Sequence, residues 1–180
     1  MNYSIDSDIY EQMGDHASEP VLPSGASVAE WRFAMDVGNK AFADGKLNTA
    51  ANHYQRATRV AEDLLRLSQD GGIDPNCAAR AVFESRRNLA EILLRLGQRD
   101  QAVDALEMGF MKFCVGAAWP CGAQPVRNAC AHKIAESLEA LVIMMERLET
   151  APSKIISVYD TAEAAQSQWR KLDETTPAPA

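Results

Sequence analysis

Two asparagines, Asn39 and Asn88, are the residues of this chain whose chemistry best suits recognition. One carboxamide offers both a donor and an acceptor, so it can pair with an extended peptide backbone without demanding a particular side chain. The same residues also suit an ordinary solvated helix face, and their spacing leaves both roles open. Cys114, Cys121, Cys130 and His132 bring thiol and imidazole groups of the kind that zinc prefers. Their spacings of seven, nine and two residues lack a paired Cys-x-x-Cys knuckle. Free cysteine behaves as a small hydrophobe, so core packing is the expected role. For catalysis the chain offers no Gly-rich phosphate loop, no Gly-x-Ser-x-Gly elbow and no His-Glu-x-x-His. His16, His53 and His132 are scattered, and His53 reads as a satisfied helix residue. A protein without catalytic residues, cofactor or metal is expected.

The elements that position these residues are constrained by composition. A chain of 180 residues with 47% hydrophobic and 24% charged residues suits one folded domain. The net charge of −7 opposes binding to phosphate backbones, which need clustered Lys and Arg. Nucleic acid is therefore not an expected partner. Met1 to Asp8 lack the basic start and apolar run of a secretory signal, and no stretch approaches 18 uncharged apolar residues. A cytoplasmic protein without membrane contact, its cysteines kept as thiols, is expected.

Residues 1–27 are rich in Asp, Glu, Ser, Pro and Gly without a sustained apolar period and read as a flexible tail. Residues 173–180 end in Thr-Thr-Pro-Ala-Pro-Ala and are expected to be disordered. Between them, residues 28–172 have helical spacing throughout. Ala50, Tyr54, Ala57, Ala61, Leu64 and Leu65 line one face, and Asp70-Gly71-Gly72 ends that helix. Asp74-Pro75 starts the next, whose apolar face includes Val82, Phe83, Leu89, Ala90, Leu93 and Leu94. A third pair follows the loop Gly116 to Pro125, with one stripe through Ile134, Leu141 and Met145. Its partner stripe is Ile155, Tyr159, Ala162, Trp169 and Leu172. Tyr159 and Trp169 are expected between the last two helices, and Trp169→Ala is expected to cost about 3–5 kcal/mol. Phe110, Met111, Phe113, Met144 and Met145 read as core. The result is an all-α chain of about three antiparallel hairpins.

The first two hairpins repeat one another. Five, nine and twelve residues after Gly45 stand Ala50, Tyr54 and Ala57; the same offsets after Gly97 give Ala102, Leu106 and Gly109. With Val37-Gly38-x-x-Ala41 ahead of Gly45, this pattern resembles the tetratricopeptide repeat family. The resemblance implies a stacked α-solenoid in which small residues (Gly38, Ala50, Ala57; Ala90, Ala102, Gly109) let paired helices approach. The distance from Gly45 to Gly97 is 52 residues, against about 34 in a regular array. The added length is expected in longer helices flanking Asp70 to Pro75 rather than in a separate subdomain. Residues 126–172 lack the consensus, as terminal repeats often do.

Members of that family that bind chaperone tails use asparagines at the positions of Asn39 and Asn88 to hold a peptide main chain and its terminal carboxylate. The resemblance therefore implies a concave peptide groove lined by Asn39, Asn88, Met35, Arg87 and Arg127. Met35 stands where the family's clamp has a basic residue, and Arg87 and Arg127 are the nearest basic groups to complete it. The implied function is an interaction scaffold or adaptor for a protein or peptide partner, able to form a homodimer. The alternative is a small cytosolic chaperone similar to those of type III secretion, which share its size, acidity and three hairpins.

Overall fold

Capping chemistry sets the helix boundaries. The computed structural model describes residues 26–175, so residues 1–25 and most of the expected C-terminal tail lie outside it. The Ser27 side chain accepts from the Glu30 amide at 3.1 Å and opens α1 (Val28–Ala43). After α2 (Leu47–Leu67), one 3-10 turn (Ser68–Asp70) ends at Gly71, whose φ of 80° is left-handed. Asp74 then caps α3 (Pro75–Arg95) by accepting from the Asn76 amide at 3.1 Å, with Pro75 in the first turn. The remaining helices are α4 (Arg99–Ala118), α5 (Gln124–Arg147) and α6 (Pro152–Glu174). All described elements are helical, and the extra length near Asp70 to Pro75 is helix and cap. α6 runs two residues beyond the expected limit at Leu172.

The turns α1–α2, α3–α4 and α5–α6 share one hydrogen-bond pattern. Gly45 and Lys46 donate to Phe42 and Ala41; Gly97 and Gln98 donate to Leu94 and Leu93; Glu149 and Thr150 donate to Glu146 and Met145. Gly45, Gly97 and Glu149 carry the positive φ, at 75°, 77° and 56°. They are spaced 52 residues apart both times. The chain thus repeats one turn at a 52-residue interval. Its third copy escapes the sequence pattern because a glutamate holds the left-handed position that glycine occupies at less strain.

Consecutive helices pack in chain order, and α3 also packs on α5 and α4 on α6. Ala34, Ala41, Ala50, Ala57, Ala90 and Ala102 are buried. A Cβ on Gly38 would lie 2.8 Å from the Tyr54 ring, and one on Gly116 2.6 Å from Cys130 Sγ. Gly109 on α4 faces α3 as expected, its missing Cβ leaving room for the buried stem of Arg86, 3.3 Å away at Cγ.

The last helix departs from expectation. It buries Val158, Ala162 and Ala165, which stand at the same offsets from Glu149 as Tyr54, Thr58 and Ala61 do from Gly45. Tyr159 is one residue off that seam, a turn of about 100° around the helix, and is 52% exposed. Trp169 is half-buried, its indole Nε1 donating to Asn128 Oδ1 at 2.9 Å. On α4, Phe110 and Phe113 are core as expected, but Met111 faces out.

Candidate functional site

α1 and α3 meet through a buried polar group. Ser85 on α3 is fully buried; it donates to the Ala81 carbonyl at 2.7 Å and accepts from Trp31 Nε1 on α1 at 2.8 Å. Met35 Sδ lies 3.7 Å from the same hydroxyl. These contacts lock α1 against α3. They also correct the expectation for Met35, which is 8% exposed and belongs to the core rather than to a groove.

One turn further along, Asn39 and Asn88 do share a surface. Both line a cavity of about 170 Å³ together with Phe42, Tyr54, Glu91 and Ile92. Asn39 Oδ1 accepts from the Tyr54 hydroxyl at 2.8 Å, which orients the exposed carboxamide. Burial pushes the Tyr54 phenol up from its ordinary value, so it stays a neutral donor. Asn88 is half-buried, and its carboxamide makes no hydrogen bond among the described residues. Arg95 borders the cavity, its guanidinium 4.6 Å from the Phe42 ring centroid while Nε donates to Glu91 at 2.8 Å.

Glu91 also lines a neighbouring cavity of about 410 Å³ between α3 and α5, with Phe83, Arg87, Ile143 and Arg147. The Arg87 guanidinium lies 5.8 Å from the Phe83 ring centroid. Arg87 is therefore on this surface, beside the asparagine cavity and not in it. Arg127 is elsewhere. It is buried at the start of α5, where its guanidinium donates to the Gly122 carbonyl and ties down the α4–α5 loop. The basic residues implied for a carboxylate clamp are thus not brought together around Asn39 and Asn88.

The opposite surface, between α2 and α4, carries what the sequence reading missed. Met108, Met111, Val115 and Trp119 are 56%, 40%, 62% and 47% exposed. Met108, Met111 and Val115, three and four residues apart, form a stripe along α4, and Trp119 follows at its C-cap. They line a cavity of about 690 Å³ with Leu65 and Arg66. On its floor the buried Arg86 donates to Glu62, which also receives Lys112 Nζ at 3.0 Å. Burial would raise the Glu62 carboxyl, but the hydrogen bonds and charges of Arg86 and Lys112 outweigh it and hold it below its usual value.

The possible zinc ligands do not converge. Cys114 and Cys130 are buried, Cys121 is exposed, and no group of three or more His, Cys, Asp or Glu among the described residues could hold a metal. His132 lies edge-on to Trp169, and His53 is on α2, while His16 is outside the described residues. No described helix is long and apolar enough to cross a membrane.

Fold and surfaces define an all-helical protein of three hairpins with open surface cavities and no convergent metal-ligating cluster among the described residues. The chain belongs to the family described as Protein of unknown function (DUF2753), whose model matches residues 29–174 and so spans all six helices. Neither curated proteins nor solved structures give a match.

Proposed function

We propose that this protein is a non-catalytic interaction module, a tetratricopeptide-like stack that grips an extended segment of another polypeptide along α1, α3 and α5. The recurrence of one turn at 52-residue intervals, with α3 on α5 and α4 on α6, supports the stack. The observation that carries the binding role is the convergence of Asn39 and Asn88, from different hairpins, on one cavity with the Asn88 amide unpaired. A preformed surface binds with little reorganisation, and two carboxamides can read a backbone without reading its side chains. With Arg127 and Met35 committed to the core, the mode is main-chain recognition rather than capture of a terminal carboxylate.

The test uses Asn88→Ala, because Asn39→Ala would also strip the buried Tyr54 hydroxyl of its acceptor and cost about 1 kcal/mol of stability. Peptides selected from a displayed random library on the full chain are titrated calorimetrically against wild type and variant. Loss of one main-chain contact, about 0.5–1.5 kcal/mol, is roughly a twofold to tenfold weaker Kd at unchanged helicity. Equal affinity for both proteins, or no selected peptide, would overturn the proposal.

A further inference from the structure

We infer that the apolar groove between α2 and α4 is the docking site of this chain's own N-terminal segment, residues 1–25. This is independent of the peptide surface on α1, α3 and α5.

Four observations lead there. The first is the groove itself, where Met108, Met111 and Val115 stand exposed along about 10 Å of α4 and Trp119 at its C-cap. A stripe of this kind marks a contact surface rather than scattered exposure. The second is the pattern of the segment. Ile5, Ile9, Tyr10 and Met13 form a short apolar stretch within an otherwise polar segment.

The third is charge. Asp6, Asp8, Glu11, Asp15 and Glu19 lie in this segment, and all 18 Lys and Arg residues of the chain come after it. The groove presents Arg66, Arg86 and Lys112 against only Glu62 and Asp63, with Arg86 and Lys112 sharing one carboxylate. Arg86 Nε, buried on the floor, has no hydrogen-bond partner among the described residues. An acidic, apolar segment complements that excess of cations.

The fourth is reach. Glu30, in the first turn of α1, is bonded to Arg56 at 3.0 Å, so the chain enters α1 beside the middle of α2. The groove begins at Glu62, six residues or about 9 Å further along α2. Residues 14–25 can span up to about 40 Å, more than enough to bring Met13 to it. Because the segment is tethered, docking is intramolecular and needs only modest intrinsic affinity.

The test uses the full chain with Gln12 replaced by the photo-crosslinking residue benzoylphenylalanine, irradiated in an equimolar mixture with an isotopically heavy copy and mapped by mass spectrometry. Crosslinks from residue 12 to α2 or α4 peptides within one light chain are expected. In parallel, hydrogen peroxide oxidation of Met108 and Met111 is followed in wild type and in Ile5→Ser/Ile9→Ser/Met13→Ser. Oxidation is expected to be about tenfold faster in the variant, the ratio for a wild-type open population of about 10%. Crosslinks joining light to heavy chains would make the occupant a second copy and overturn the proposal. Crosslinks outside α2 and α4, or equal oxidation rates, would overturn it as well and leave the groove to another protein.

Discussion

The crossing of α4 on α5 forms one wall of the α2–α4 groove, and its tightness rests on Gly116. A Cβ at Gly116 would stand 2.6 Å from Cys130 Sγ and 3.3 Å from Cys130 Cβ. Cys130 is fully buried, so its sulfur cannot swing into solvent. Gly116→Ala gains about 1 kcal/mol of helix propensity, while overpacking costs about 1–3 kcal/mol. The net effect in the wild-type background is a loss of up to about 2 kcal/mol. Cys130→Ala alone loses buried volume and should cost about 1–2 kcal/mol. In that background the 2.6 Å clash is gone and only a 3.3 Å contact remains, which a shift of a few tenths of an ångström relieves. Gly116→Ala should then become neutral or stabilising, reversing its sign. Urea denaturation followed by circular dichroism on the four proteins gives the coupling, expected at about 1–3 kcal/mol in favour of the double variant. Strict additivity would refute the close approach of α4 and α5 at this point.

Glu149→Gly should stabilise the protein by up to about 1 kcal/mol in the same denaturation assay, because glycine accepts the φ of 56° without Cβ strain; destabilisation would contradict the equivalence of the three turns. The Cys114 and Cys130 thiols, which burial pushes up to about 11 and about 12, should resist iodoacetamide at pH 8 until the chain is unfolded. Exposed Cys121 should be alkylated first, as peptide mass spectrometry would report. Trp169→Ala should cost about 2 kcal/mol by thermal melting, since the ring is only half-buried although it loses the Asn128 bond. A loss of 4 kcal/mol or more would restore the fully buried role expected from its stripe.

The six helices were legible because their signals are local: a proline at a first turn, glycines that accept positive φ, and apolar residues three and four apart. The shared surface of Asn39 and Asn88 was legible too, through the resemblance of the first two hairpins. The third turn was not, because Glu149 resembles any helix-surface glutamate until its backbone hydrogen bonds are seen. The spacing of Ile155, Tyr159 and Ala162 suits one stripe, yet the seam runs through Val158, about 100° around the helix from Tyr159, and residue spacing alone does not separate the two. Met35 carried the opposite difficulty. Read at a clamp position it suggests a contact, whereas its physical character is that of a flexible core filler. Buried Arg86 was hidden because arginine is ordinarily solvated, and its two supports, Glu62 and Gly109, lie 24 and 23 residues away in sequence.

The central claim is that a peptide backbone lies across Asn39 and Asn88, and their side-chain amide resonances report on it directly. In ¹H–¹⁵N spectra of the full chain titrated with a library-selected peptide, both carboxamide NH₂ pairs should shift together along one binding curve. Amides of α3 around Arg87 and Glu91 should follow them. Saturable binding that leaves both carboxamides unmoved, with shifts confined to α2 and α4, would contradict the account.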